Sequence, residues 1–132
     1  MEKRFVLAIE HDWRLRRLIQ ANLEPLGFEV QAAVDGLHSL ELLRGSRPDL
    51  ILLDADLPDM YVNHLLDRLS ALLDGQVPII ILSAEPPDRQ CLHNGQVVSF
   101  LLKPFAAPAL LQQVRQALGE SPAENERTAS DK

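Results

Sequence analysis

Four apolar runs in this chain each stop at a residue that could do chemistry. Phe5-Val6-Leu7-Ala8-Ile9 runs into Glu10-His11-Asp12, and Leu50-Ile51-Leu52-Leu53 runs into Asp54. Ile79-Ile80-Ile81-Leu82 ends at Ser83, and the run from Val97 to Leu102 ends at Lys103. Carboxylates hold hard divalent cations through oxygen. A lysine and a hydroxyl can bind phosphoryl oxygens. A carboxylate can also act as a nucleophile that accepts a phosphoryl group. Each residue alone says little, because strands commonly end at a polar residue where the chain meets water. Four such ends on one sheet edge would make a phosphoryl site, with Asp54 as its centre.

The elements between these ends set the architecture. Continuous apolar runs of this length read as strands buried on both faces. Asp12 can cap a first helix whose Leu15, Leu18, Ile19, Asn22, Leu23 and Leu26 share a face. Gly27 ends it in a left-handed position. A strand from Phe28 to Ala33 follows, then a turn at Asp35-Gly36 and a short helix through Leu37, Leu40 and Leu43. Val62, Leu65, Leu66, Leu69 and Leu72 mark the next helix, closed by Asp74-Gly75. The stretch from Glu85 to Gln96 is the least regular, and Pro86-Pro87 should hold its start out of a helix. A last helix runs from about Pro108 to Leu118. Five strands alternating with helices predict a doubly wound α/β fold, a parallel sheet of order 2-1-3-4-5 with right-handed crossovers. Its ligand site lies at the carboxyl ends of the strands.

A chain of 132 residues fits one domain, and 46% hydrophobic residues can build its core without a metal or disulfide staple. We expect the domain to span 1–118, with 119–132 a disordered tail or linker, because Ser, Pro, Glu and Asn dominate there. Cys91 is the single cysteine, so an internal disulfide is ruled out and a reducing cytoplasm fits. No signal peptide or membrane span is expected, since the first apolar stretch is too short. The net charge of -6 argues against direct nucleic-acid binding, and Arg14, Arg16 and Arg17 read as a solvated helix face. His38, His64 and His93 lack zinc spacing and read as surface residues.

The segments Val6-Leu7-Ala8-Ile9-Glu10-His11-Asp12, Pro48-Asp49-Leu50-Ile51-Leu52-Leu53-Asp54, Leu57-Pro58, Ile80-Ile81-Leu82-Ser83-Ala84 and Leu102-Lys103-Pro104-Phe105 resemble the receiver domain of two-component response regulators. The resemblance covers roughly residues 4 to 118. It implies a flavodoxin-like receiver fold, with Asp54 accepting phosphate from a histidine kinase or phosphotransfer protein. It further implies that Lys103 contacts the phosphoryl group, that Ser83 is the hydroxyl that turns toward it, and that Phe100 is the aromatic that follows inward. Magnesium would be held by Glu10, Asp54 and the Asp56 backbone carbonyl. The switched surface would then act on an output domain or downstream protein, and a homodimer is compatible with this reading.

The chain departs from that family at two places. The usual adjacent pair of acids at the end of the first strand is here Glu10-His11. Neutral imidazole is a poor partner for magnesium and a better one for softer ions. Magnesium affinity should therefore fall unless Glu10 or Asp12 reaches in, with manganese or another divalent ion as the substitute. The segment between Ser83 and Lys103 is about two residues short against the family pattern, so the fourth helix should be shortened, shifted or absent. Tyr61-Val62 replaces a frequent Asp-Gly, and Tyr61 reads as a surface or helix-start residue. Asp56 and Glu85 border the site, either as tuning charges for hydrolysis of the phosphate or as solvated loop acids.

Two other readings compete. A pseudo-receiver would keep the fold and bind proteins without phosphate, as His11 and the irregular segment suggest. The Asp54-Ala55-Asp56 sequence also resembles the nucleophile motif of haloacid-dehalogenase-type phosphatases, but the acidic strand that those enzymes need after the lysine is missing. A non-enzymatic phosphoacceptor is the expected function.

Overall fold

The computed structural model describes residues 3–120. Strands β1 (Phe5–Ile9), β2 (Glu29–Ala33), β3 (Leu50–Asp54), β4 (Ile79–Ser83) and β5 (Val97–Leu102) alternate with helices. These are α1 (Trp13–Leu23), α2 (Gly36–Leu42), α3 (Val62–Leu73), α4 (Arg89–Leu92) and α5 (Ala107–Ala117). The strands form one parallel sheet in the order β2-β1-β3-β4-β5. The expected order is therefore observed.

Strand side chains alternate between faces, and the helices divide accordingly. Leu7, Ile9, Ile51, Leu53, Ile79 and Ile81 pack with Leu65, Leu66, Leu69 and Leu73 of α3. Val6, Ala8, Leu50, Leu52, Ile80 and Leu82 pack with Ile19 and Leu23 of α1 and with Leu110 and Val114 of α5. The three central strands are buried on both faces, which is why they read as unbroken apolar runs. Full burial of each such side chain contributes about 1.5–3 kcal/mol.

Several local expectations shift. The α-helical part of α1 stops at Leu23, and a 3-10 turn over Glu24–Leu26 with Pro25 in its first turn follows, ending at Gly27 with φ 96°. The change of helical phase leaves Leu26 exposed rather than on the inward face. In α3 the inward row steps from Leu69 to Leu73, and Leu72 is exposed. Asp35-Gly36 is not a free turn. Asp35 caps α2 by accepting from the His38 N–H at 2.8 Å, and Gly36 is the buried first residue of that helix. A Cβ at Gly36 would come within 2.8–2.9 Å of the Met60 side chain.

The fourth helix is reduced to the single turn Arg89–Leu92, capped by Asp88 after Pro86-Pro87. Tyr61 stands at the N-terminal boundary of α3 and is 88% exposed. After α5 the chain closes through Gly119, with φ 83°, and the Glu120 N–H donates to the Arg115 carbonyl. The tail expected over 119–132 otherwise lies outside the described residues. Among the described residues, no helix is long and apolar enough to cross a membrane.

Candidate functional site

Register brings the polar strand ends together. Ile9 is level with Leu53, so Glu10 and Asp54 leave β1 and β3 side by side. The Asp54–Leu82 and Ser83–Leu102 pairings place Ser83 and Lys103 one and two strands further along the same edge. Main-chain bonds fix these exits: Glu10 N–H donates to Ala33, Ala55 N–H to Leu82 and Lys103 N–H to Ser83. The Lys103–Pro104 peptide is cis.

Both carboxylates are fully buried, and one lysine serves the two. Lys103 Nζ lies 3.0 Å from Asp54 Oδ1 and 2.9 Å from Glu10 Oε1. Only the Asp54 contact is aligned as a hydrogen bond, so Glu10 Oε1 has close charge but no directed donor. Glu10 Oε2 accepts from the Asp12 N–H at 3.1 Å. Asp54 Oδ1 also accepts from the Asp56 N–H at 2.9 Å. Its other oxygen, Oδ2, faces His11 Nδ1 at 2.8 Å, and the same nitrogen is 3.6 Å from Glu10 Oε2. The His11 side chain is 49% exposed and that of Lys103 21%.

Two carboxyls in one buried pocket with one ammonium cannot both ionise freely. Burial, followed by the adjoining Asp54 carboxyl, pushes Glu10 up to about 7 against the pull of Lys103 and the Asp12 N–H. Burial also opposes ionisation of Asp54, but the neighbouring Glu10 carboxyl and hydrogen bonds from the Asp56 N–H, His11 and Lys103 outweigh it and hold the group at about 2. Burial disfavours the Lys103 charge as well, yet the two acids more than compensate and its pKa rises. The pocket thus keeps Asp54 anionic at neutral pH, as a nucleophilic oxygen requires.

The other expected residues are placed as follows. Asp12 is the N-cap of α1, its Oδ1 accepting from the Arg14 N–H at 2.9 Å. Glu10 is the acid that reaches in. Ser83 Oγ donates to the Glu85 carbonyl at 2.6 Å and makes no hydrogen bond to Asp54. Phe100 is partly buried against the core on the α3 side of the sheet. Asp56 and Glu85 are exposed, on a cleft of about 430 Å³ that also contacts Ser83, Asp88 and Cys91.

Three residues carry more than their sequence positions announce. Arg16 is not simply part of a solvated face: its Nη1 donates to the Glu10 carbonyl at 2.8 Å and ties α1 to the end of β1. Its position between inward Leu15 and Ile19 is the only sequence hint. His38 is partly buried, and its Nδ1 accepts from the Val34 N–H at 3.1 Å. Asp59, just beyond Leu57-Pro58, accepts from the Gly36 and Leu37 N–H groups at 2.9 Å each and binds the loop after β3 to the start of α2.

Glu10, His11 and Asp54 offer ligand atoms that all lie within 4.8 Å of one another. The two carboxylates suit an oxygen-seeking cation, with Glu10 Oε2 and Asp54 Oδ2 on the His11 side and the other two oxygens facing Lys103. The imidazole does not suit magnesium as a third donor.

A doubly wound parallel sheet thus carries a buried aspartate, a neighbouring buried acid and a lysine at its carboxyl edge. The sequence pattern of the response regulator receiver domain matches residues 6–115, and this chain belongs to that family. It is 33% identical to the transcriptional regulatory protein CseB of Streptomyces avermitilis, over 98% of this chain and 57% of that protein. It is 31% identical to the uncharacterized transcriptional regulatory protein YkoG of Bacillus subtilis, over 92% of this chain and 54% of the other. The chain therefore spans about half the length of these curated relatives. The chemotaxis response regulator CheY4 of Vibrio cholerae superposes with a TM-score of 0.80 at 25% identity, over 88% of this chain and 99% of CheY4. The signal receiver domain of an HD domain-containing protein from Pseudomonas fluorescens gives 0.81 at 27% identity, over 96% and 95% of the two chains.

Proposed function

We propose that this receiver domain accepts a phosphoryl group on Asp54 and uses it to switch a protein-binding surface. One observation carries the reading: a fully buried Asp54 kept anionic between Lys103 and a second buried acid. In the transfer, an Asp54 carboxylate oxygen forms the new bond to phosphorus as the bond from phosphorus to the donor nitrogen of a phosphohistidine breaks. Lys103, already 3.0 Å from Oδ1, offsets charge on the transferred group. A divalent cation held by Glu10, Asp54 and the Asp56 carbonyl would supply further neutralisation of the phosphoryl oxygens.

The proposed donors are a histidine kinase or phosphotransfer protein. The receptor of the signal is an output domain or downstream protein, in keeping with the regulators that the chain resembles. On this reading the domain works in the cytoplasm, is not itself an enzyme and does not bind nucleic acid directly, and a homodimer is one route for output. Ser83 would leave the Glu85 carbonyl for the phosphoryl group, and Phe100 would move inward with it. A phosphate-independent pseudo-receiver is favoured by one contact, the His11 hydrogen bond that occupies Asp54 Oδ2.

Incubation with a small phosphodonor and magnesium, manganese, cobalt or zinc separates the readings. The intact mass should rise by one phosphate, and Asp54→Asn should remove the increase. No increase with any of these ions under saturating donor would refute the phosphoacceptor.

A further inference from the structure

We infer that His11 is a cation ligand through Nδ1 and sets the ion class of this pocket to imidazole-accepting divalent ions, such as cobalt, nickel or zinc, in place of magnesium. The inference deepens the reading of the same pocket as a cation site, and it stands whether or not Asp54 is phosphorylated.

The geometry supports a shared ion. Ligands bound at about 2.0–2.2 Å stand roughly 3.0 Å apart in an octahedron and roughly 3.4 Å apart in a tetrahedron. His11 Nδ1 is 2.8 Å from Asp54 Oδ2 and 3.6 Å from Glu10 Oε2, which brackets both arrangements. The charge distribution asks for one more cation. Two fully buried carboxylates share a single lysine, which faces Glu10 Oε1 and Asp54 Oδ1 and leaves Glu10 Oε2 and Asp54 Oδ2 on the His11 side.

The chemistry then selects the ion. Magnesium takes oxygen ligands and gives up water reluctantly, so imidazole in a ligand position handicaps it. Cobalt, nickel and zinc accept imidazole readily. The ring is half exposed, and with its proton on Nε2 it presents the Nδ1 lone pair toward both acids. Without a cation, an Nδ1–H bonds Asp54 across the space that the ion would take. Asp12 caps α1 through Oδ1 and is not among the residues whose ligand atoms converge.

The test is direct binding to the full chain, stripped with chelator. Calorimetry and the fluorescence of Trp13, the only tryptophan and two residues from His11, follow titration with magnesium and cobalt. The wild type should bind cobalt saturably, with visible absorption bands that change in His11→Ala. His11→Asp should gain magnesium affinity and lose cobalt affinity, shrinking the cobalt-over-magnesium preference by roughly a hundredfold. His11→Ala should lose roughly tenfold in cobalt affinity, and it decides the matter if His11→Asp does not fold.

An unchanged preference in His11→Asp, no saturable cobalt binding to the wild type, or tighter cobalt binding by His11→Ala overturns the inference. The last would make His11 a donor that blocks Asp54. Failure here with phosphate still gained on Asp54 leaves the phosphoacceptor standing. A selectivity switch without phosphate under any ion would refute the phosphoacceptor and leave the cation site.

Discussion

Replacing Glu10 with Gln should stabilise the cation-free protein at alkaline pH and do so much less in mild acid. The Glu10 carboxyl is fully buried and has its pKa raised from 4.5 to about 7. A folded value above the unfolded one means that the native state holds the proton more tightly. Ionisation then destabilises the fold, beginning as pH rises past 4.5 and complete once pH exceeds about 7. The full displacement corresponds to about 3 kcal/mol. Relaxation and the shared Lys103 trim this, so the expected gain for Glu10→Gln is about 1–3 kcal/mol at about pH 8 and falls to about a quarter of that at about pH 5. Asp54 has the opposite sign. Its pKa falls from 3.8 to about 2, so it contributes stability above 3.8 that is lost as pH falls through 2. That region lies below the comparison range and does not interfere. Urea denaturation followed by far-ultraviolet circular dichroism, with chelator present, gives the two stabilities. An equal difference between variant and wild type at both pH values would refute the assignment of the proton to Glu10.

Two further substitutions probe the frame around the pocket. Lys103→Met leaves Glu10 and Asp54 facing each other without their ammonium. It should cost about 1–3 kcal/mol near neutral pH, less than a typical broken buried pair because Glu10 can take up a proton; an unchanged urea midpoint would contradict this. Asp59→Ala removes the acceptor for the Gly36 and Leu37 N–H groups and should cost about 1 kcal/mol by the same measurement. The extent of phosphate incorporation should be retained, because Asp59 bonds α2 and not the pocket.

The fold was readable where one physical preference dominated. β1, β3 and β4 are buried on both faces, so their apolar runs and polar ends mark both the strands and the site. Pro86-Pro87 likewise announced a curtailed α4, and the order of alternating elements announced the sheet. Contacts that cross between elements were less legible. Beyond its place between Leu15 and Ile19, nothing in the sequence shows that the Arg16 guanidinium finds the Glu10 carbonyl, or that Asp59 reaches the α2 N-terminus. Leu26 and Leu72 followed the helical spacing yet remain exposed, since a 3-10 turn resets the phase after α1 and α3 turns its inward row to Leu73. Glu10 and His11 were identifiable as a departure from the usual acidic pair. Only the three-dimensional arrangement places His11 on Oδ2 and Lys103 on Oδ1 of the same aspartate.

The most direct test of the central claim is to locate the phosphate. After treatment with a small phosphodonor and a divalent ion, borohydride reduction converts an aspartyl phosphate to homoserine, which peptide mass spectrometry can position. Homoserine is expected at position 54 and should disappear in Asp54→Asn. Homoserine at Asp56 instead, phosphate retained on His11, or an unmodified chain would contradict the account.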